Sequence, residues 1–243
     1  MTLLNKNLRK RILIKGTEAG QKHFSAAFSC IDIIKYLYDN VLTSEDLFIL
    51  SKGHGAMALF AVLEEKGKKV PWEFVHPEID EELGIYATTG SLGHGLPIAL
   101  GRALAKREKG SKGKVYVLLG DGEIQEGSNW EALILANKLN VNLNLILDWN
   151  KYQAVGSIKE NMDLDGLSLE KKFKAFGCKN VAIIDGHNED SLAVFNRLGE
   201  GLNAIILDTV KGKGVKFLEE IHPHSMGFEE GSERYLKALE DLS

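Results

Sequence analysis

The stretch that decides the fold is residues 120–150, GDGEIQEGSNWEALILANKLNVNLNLILDWN. It follows an apolar run at residues 115–119 (VYVLL) and contains a second one at residues 143–147 (LNLIL), with a helical pattern between them. Continuous apolar runs of this length predict buried strands, and strands that alternate with helices predict a parallel sheet with helices on both faces. Asp121 and Asn150 each come just past one of these strands, at the end where such sheets bind ligands.

The rest of the chain extends the same α/β pattern. Residues 1–243 are expected to form a single domain, because no linker-like segment interrupts them. Residues 67–89 are expected to be irregular, and a helix is expected to follow the Gly-rich turn at residues 91–95. Helical spacing predicts further helices at residues 4–15, 25–41 and 56–66, and apolar runs predict further strands at residues 47–51, 180–185 and 203–210.

Composition argues against several classes of function. The 243 residues are 44% apolar, which suits a packed core, and the formal net charge of −4 argues against a nucleic-acid surface. The sequence shows no signal-peptide pattern, and no apolar run reaches membrane-spanning length, so we expect no membrane partner. Cys30 and Cys178 lack metal-binding or redox spacing, which is typical of a reduced, cytoplasmic protein.

If the two strands before Asp121 and Asn150 are neighbours, these side chains converge on one spot. One carboxylate and one amide oxygen make a hard oxygen site that suits Mg²⁺, which completes its octahedron with phosphate oxygens and water. Gly120 and Gly122 let the backbone approach a ligand, and the following helix directs its N-terminal amides at the same place. Gly-Asp-Gly alone also fits a strand-to-helix turn with a capping Asp. The Asn at position 150 favours a metal–diphosphate site.

Four segments, taken in chain order, resemble the motifs of one protein family. LSKGHGAM (residues 50–57), TTGSLGHG (88–95), GDGEIQEGSNWEA (120–132) and VKGKGVKF (210–217) resemble motifs of the transketolase family, and residues 120–150 resemble the thiamine diphosphate binding motif. The resemblance covers nearly the whole chain and corresponds to the N-terminal part of transketolase. It implies the α/β thiamine diphosphate-binding fold.

By this resemblance, thiamine diphosphate and Mg²⁺ (or Ca²⁺ or Mn²⁺) are the expected cofactors. Asp121, Asn150 and the carbonyl of Tyr152 are the expected metal ligands. The residues that the resemblance places around the cofactor are His54, Ser91, Leu92, Gly93, Gly120, Asp121, Gly122, Glu123, Asn150 and His187.

The resemblance also implies catalytic roles for His23, His54, His94, Glu126 and His224. His23 matches a substrate-facing histidine, and Glu126 matches a glutamate at the dimer interface that links two cofactor sites.

Each of these assignments has a plainer alternative. His23 also fits a surface position before a helix, and Glu126 fits an exposed first-turn glutamate favoured by the helix dipole. His222 remains an alternative to His224, because the spacing after residues 210–217 differs slightly from the family's. His76 is expected to be structural.

The implied activity is transfer of a two-carbon ketol unit from a ketose to an aldehyde. Transketolases continue into a pyrimidine-binding domain that carries an essential glutamate, whereas this chain ends at ERYLKALEDLS. The chain therefore resembles the N-terminal subunit of a split transketolase that needs a separately encoded partner, expected as an α2β2 assembly. The apolar helices at residues 24–34 and 95–104 are candidate partner surfaces, although each also fits sheet-facing core.

Residues 67–75 are shorter than in the family, which leads us to expect an acceptor bulkier than a pentose phosphate. The alternative activity is that of a related enzyme acting on a 2-oxo acid, or on an unusual sugar in a biosynthetic pathway. A non-catalytic regulatory subunit is the third hypothesis, and the presence of Asp121, Asn150 and His54 argues against it.

Overall fold

The computed structural model describes residues 3–243. Its strands are β1 (Leu47–Leu50), β2 (Val115–Gly120), β3 (Leu143–Trp149), β4 (Tyr152–Gln153), β5 (Gly156–Ser157), β6 (Asn180–Asp185) and β7 (Leu202–Asp208). Within the described residues, five of them form one sheet in the order β1-β2-β3-β7-β6, and each neighbouring pair is parallel. β4 and β5 form a short antiparallel hairpin directly after β3. The predicted parallel sheet is confirmed.

Helices cover both faces of this sheet, as predicted. The α-helices are α1 (Lys6–Glu18), α2 (Phe24–Tyr36), α3 (Ala56–Glu65), α4 (Gly95–Glu108), α5 (Gly127–Leu139), α6 (Ile158–Met162), α7 (Gly166–Ala175), α8 (Glu189–Leu192), α9 (Lys216–Ile221) and α10 (Glu233–Asp241). One core cluster joins α1, α2 and α3 to the sheet side that carries Leu118 and Ile146. A second joins α4, α5 and α7 to the side that carries Val117 and Leu145. Both faces of the central strands are buried, which explains why these strands are mostly apolar.

The two helices predicted as candidate partner surfaces differ in how deeply they are buried. Every residue from 24 to 34 is buried inside this chain, so the expectation that this helix forms a partner surface is wrong and its alternative, core packing, is confirmed. In α4, Leu96, Ala99 and Ala103 are buried, whereas Ile98 keeps 36% of its surface exposed. Residues 67–89 are irregular, as expected, apart from a single antiparallel bridge between Asp80 and Ile85.

The fold bears on two predictions, one about membrane-spanning segments and one about the two cysteines. Within residues 3–243, no helix is long and apolar enough to cross a bilayer. Cys30 and Cys178 are both buried and both free thiols. Burial raises the pKa of each thiol to about 12, which keeps both sulfurs protonated and unreactive at neutral pH.

A buried ion pair lies at the carboxyl edge of the sheet. The Lys52 ammonium donates to the Asp148 carboxylate, and both side chains are fully buried. Asp148 also accepts hydrogen bonds from the hydroxyls of Ser29 (2.6 Å) and Thr209. Burial, the largest single effect, would lower the pKa of Lys52 and raise that of Asp148, but the attraction between the two charges and the hydrogen bonds to Asp148 together outweigh burial in both groups. Both partners are therefore ionised.

We expect Lys52→Met to lower the free energy of unfolding by about 3–5 kcal/mol, because it leaves the Asp148 charge buried without a partner. Urea denaturation followed by circular dichroism measures this loss. Lys52→Met combined with Asp148→Asn removes the stranded charge and should be more stable than Lys52→Met alone. A double variant no more stable than the single one would contradict this account.

Candidate functional site

A cavity of about 470 Å³ opens at the carboxyl edge of the sheet. Its walls come from the segments that follow β1, β2, β3 and β7, and from irregular segments around His23, His76 and His224. Parallel strands end at the same edge, so this is the place where an α/β sheet can assemble a ligand site from residues far apart in sequence.

Asp121 and Asn150 meet at this edge, as the sequence predicts. The backbone N–H of Tyr152 lies 3.1 Å from Asp121 Oδ2 and 3.1 Å from Asn150 Oδ1, so the two side-chain oxygens converge on one backbone group. Lys151, in the left-handed region with φ of 72°, turns the chain back so that Tyr152 reaches this position. Asp121 is 3% exposed and Asn150 is 5% exposed. The pair provides one anionic and one neutral oxygen in a sheltered position.

The charge of Asp121 is sensitive to its surroundings. Burial, together with the negative charge of Asp148, raises the pKa of Asp121 to about 7, although Lys52 and Lys211 oppose the shift. The carboxylate is thus only partly ionised at neutral pH without a further positive charge. A cation between Asp121 and Asn150 would favour the ionised form.

Glu123 connects two turns beside the cavity. Its buried carboxylate accepts hydrogen bonds from the backbone N–H of Gly120 and of Gly93, each at 3.2 Å, and from the hydroxyl of Ser51. These bonds fasten the Gly-Asp-Gly turn to the turn that contains Gly93. Glu123 borders the cavity, but its carboxylate oxygens are engaged by the protein. These contacts hold two turns beside the cavity together, and the cofactor contact expected for Glu123 stays a prediction.

Gly122 is required by its close neighbour. A Cβ at this position would lie 3.0 Å from Cβ of Gln153 in the β4–β5 hairpin, closer than side chains ordinarily pack. Gln153 in turn accepts from Nε2 of Gln125 at 3.0 Å. The absence of a side chain at position 122 lets the hairpin close over the Gly-Asp-Gly turn.

Four histidines line the same cavity. The ring centroid of His23 lies 6.0 Å from that of His54, 6.2 Å from that of His76 and 5.2 Å from that of His224. His54 and His224 are 5.7 Å apart. Nδ1 of His23 lies 3.1 Å from the carbonyl oxygen of His224 and must donate to it. The structure therefore brings together His23, His54 and His224, which the sequence singled out, and adds His76.

These rings lie in an environment that disfavours positive charge. Burial lowers the pKa of His54 well below its usual value, and nearby Lys52, His23 and His224 lower it further. Burial also lowers the pKa of His76 and of His224. These three imidazoles are consequently neutral at pH 7, and each can both donate and accept a hydrogen bond.

Lys211 lines the cavity but was not among the site residues predicted from the sequence. Its side chain is 3% exposed, borders the cavity, and places Nζ 6.0 Å from the centroid of the Tyr152 ring. Burial lowers the pKa of Lys211 to about 8, with Asp121 opposing that shift. The sequence did carry a signal for it, because the KGKG run begins three residues after the end of β7, whose carboxyl end lies at the same edge of the sheet.

Several predicted residues lie elsewhere. His94 and Ser91 are exposed and do not border the cavity, and His94 precedes the first turn of α4. Gly93 is buried beneath the α5 N-terminus, where its carbonyl accepts from the hydroxyl of Ser128 at 2.7 Å. His187 also lies outside the cavity, and both of its ring nitrogens are hydrogen-bonded within the chain.

The remaining predicted residues form the rim. Leu92, 40% exposed, and Glu126, also exposed, border the cavity mouth. The positions of the two late histidines differ. His224 borders the cavity, whereas the ring of His222 stacks on that of Tyr152 with centroids 3.8 Å apart.

We expect His54 to make folding stability fall as the pH decreases. Its pKa is lower in the folded than in the unfolded chain, so the unfolded chain binds more protons once the pH drops below about 6.5. Asp121 acts with the opposite sign, since its raised pKa favours folding at low pH.

The comparison of wild type with His54→Gln separates the two effects, because Asp121 is present in both. In urea denaturation between about pH 5 and about pH 7, His54→Gln should lose less stability on acidification than wild type. Equal pH slopes in the two proteins would contradict the assignment.

Comparison with known proteins shows the family to which the chain belongs. Residues 17–222 match the family model described as the transketolase, thiamine diphosphate binding domain. The chain is 35% identical to one of the subunits of the apulose-4-phosphate transketolase of Actinobacillus succinogenes, over 87% of this chain and 84% of that protein. It is 33% identical to a 6-deoxy-6-sulfo-D-fructose transketolase subunit of Clostridium sp. over 90% of this chain and 88% of that protein.

A solved structure agrees. The transketolase of Campylobacter jejuni superposes with a TM-score of 0.83 and 26% sequence identity, covering 98% of this chain. This chain spans 42% of that one.

Proposed function

The chain belongs to the transketolase thiamine diphosphate-binding domain family, and we propose that it acts as the diphosphate- and metal-binding subunit of a two-component transketolase. Such an enzyme transfers a two-carbon ketol unit from a ketose donor to an aldehyde acceptor. Relatives that this chain matches over 84% and 88% of their length are named as transketolase subunits, which supports a separately encoded partner. The single observation that carries the proposal is the convergence of Asp121, Asn150 and Lys211 on one cavity.

The donor set fits a divalent metal and a diphosphate. Asp121 Oδ2 and Asn150 Oδ1 converge within 3.1 Å of one backbone nitrogen, and we assign the third protein ligand to the carbonyl oxygen of Tyr152. Mg²⁺ suits these oxygens and keeps positions open for phosphate oxygens and water. Lys211 and His54 stand beside them as cationic and neutral donors for the diphosphate.

The bound cofactor supplies the nucleophilic carbon and the electron sink for carbon–carbon bond cleavage. The protein side chains hold the substrate and its protons. His23, His76 and His224 line the cavity together with His54, and the centroids of neighbouring rings lie 5.2–6.2 Å apart. Neutral imidazoles can donate to and accept from sugar hydroxyls and can relay protons between them. We assign this work to the histidine cluster.

The rim residues fit contacts with other chains. Glu126 and Leu92 are exposed beside the cavity, where a second copy or a pyrimidine-binding partner would approach. We propose an α2β2 assembly in which Glu126 lies at the contact between two copies. His94 and Ser91, exposed on the adjoining turn, would then lie near the pyrimidine side of the cofactor.

The substrate is proposed to be an unusual sugar. The two named relatives carry apulose 4-phosphate and 6-deoxy-6-sulfo-D-fructose in their names, and neither name refers to a 2-oxo acid. We also propose that the short segment at residues 67–75, which precedes the cavity-lining His76, gives a wide entrance that admits a bulky acceptor. The two buried free cysteines support a reducing, cytoplasmic location.

We expect Asp121→Ala to abolish metal-dependent binding of thiamine diphosphate, because it removes the one anionic ligand in the proposed metal set. Asn150→Ala should weaken binding less, since it removes a neutral ligand. Calorimetric titration of the assembled complex with thiamine diphosphate and Mg²⁺ measures both. Asp190→Ala, which removes a carboxylate from the exposed first turn of α8, is the matched control. Unchanged affinity in Asp121→Ala would exclude the site.

We expect this chain alone to bind thiamine diphosphate weakly and to lack ketol transfer, and to gain both properties on mixing with its pyrimidine-domain partner. The physical reason is that the cavity offers contacts for the diphosphate and the metal but leaves the other end of the cofactor unheld. Sedimentation and transfer assays with a panel of ketoses and aldehydes test this. Full activity of the isolated chain would refute the two-component proposal, and turnover of 2-oxo acids alone would favour the alternative activity.

A further inference from the structure

Lys211 lies on a loop whose main chain is held on both sides of it. The N–H of Val210 donates to Nε2 of His187 at 3.0 Å, and the N–H of Gly212 donates to the carbonyl of Ser25 at 3.0 Å. The carbonyl of Lys213 accepts from Nε of Arg9, also at 3.0 Å. The residues on either side of the lysine are thus fixed by groups from other parts of the chain.

Arg9 is saturated with hydrogen bonds in the interior. Its two terminal nitrogens bind the two carboxylate oxygens of Asp32 at 2.8 Å each, and they also donate to the carbonyls of Leu4 and Phe28 at 3.0 Å. With the bond to Lys213, all five N–H groups of the guanidinium are used. Arg9 has no exposed surface, and Asp32 is 1% exposed.

His187 connects Asp32 to the loop. Because Nε2 accepts from Val210, the ring proton is on Nδ1, which donates to Asp32 Oδ2 at 2.8 Å. Burial, the largest single effect, would raise the pKa of Asp32, but the hydrogen bonds from His187 and Arg9 and the charge of Arg9 together hold that pKa below its usual value. Asp32 is therefore a carboxylate that orients both Arg9 and His187.

The loop cannot reach this shape with ordinary residues. Gly212 and Gly214 adopt φ of 80° and 97°, in the left-handed region. A Cβ on Gly212 would lie 2.6 Å from Cβ of Leu218. The KGKG run therefore combines a lysine with the two glycines that let its backbone turn into the hydrogen-bonding positions.

We propose that Arg9, Asp32 and His187 form a positioning triad that fixes residues 210–213 and thereby aims Lys211 into the cavity. This rests on the proposed function, in which Lys211 binds the diphosphate. It gives His187 a role different from the direct cofactor contact that the sequence suggested. Arg9 and His187 hold the loop on either side of Lys211 without touching the ligand. A side chain that must meet a ligand is positioned more accurately when surrounding hydrogen bonds hold its backbone in place.

The test is a double-mutant cycle on the full chain, with inorganic pyrophosphate and Mg²⁺ as the probe and calorimetry as the readout. Lys211→Met should weaken binding about tenfold or more, as expected for a lost charge-assisted hydrogen bond. His187→Ala should also weaken binding, but should add little in the Lys211→Met background, because it acts through that lysine. His187→Gln, which keeps one donor and one acceptor, should restore much of the affinity. Lys213→Met, on the same loop, is the matched control and should bind as wild type.

Hydrogen exchange provides a readout that does not depend on binding. The amides of residues 209–213 should exchange faster in His187→Ala than in wild type, and His187→Gln should restore slow exchange. Equal losses of affinity from His187→Ala in both backgrounds, or no loss in either, would overturn the triad. Absence of pyrophosphate binding in wild type would instead overturn the proposed diphosphate site, and the triad with it.

Discussion

Parallel pairing of β2 with β3 is the constraint on which the site depends. The register sets Gly120 opposite Asp148, so Asp121 leaves one strand beside the end of the next, where Asn150 follows. Side chains separated by a whole helix in the sequence are thereby brought within reach of one backbone N–H. A one-residue change of register would turn every side chain of one strand to the opposite face and separate the pair.

The same edge contains a balance of buried charges. Lys52 forms an ion pair with Asp148 beneath the cavity. Asp121 and Lys211 line the cavity, and neither has an ion-pair partner among residues 3–243. Burial moves the pKa of Asp121 up to about 7 and that of Lys211 down to about 8, so it disfavours both charges. A divalent cation beside the carboxylate and a diphosphate beside the ammonium would favour both charged forms. The cavity is thus complementary to a ligand that carries a metal and an anion together.

Local patterns in the sequence were sufficient for the sheet, for the helices on both faces, and for the convergence of Asp121 with Asn150. They failed where a side chain's direction depends on packing. The family resemblance of the segment after residues 180–185 implied a cofactor contact for His187, but the ring lies outside the cavity, hydrogen-bonded to Asp32 and to the N–H of Val210. The helix at residues 24–34 is apolar enough for an interface, but the layer of α1 and α3 covers it.

The histidine cluster shows why spacing alone could not assemble the site. His23 and His224 are 201 positions apart, and their contact depends on main-chain pairing between their segments. The N–H of Met226 donates to the carbonyl of Lys22 at 2.8 Å, and Phe228 packs edge-on against Phe24 with ring centroids 4.8 Å apart. These contacts lay the segment after α9 across the start of α2. Since that segment supplies His224 and the hairpin after β3 supplies Tyr152, the cavity is closed by short irregular pieces. Its shape is therefore set by backbone hydrogen bonds and glycine turns, and the strands determine only where it lies.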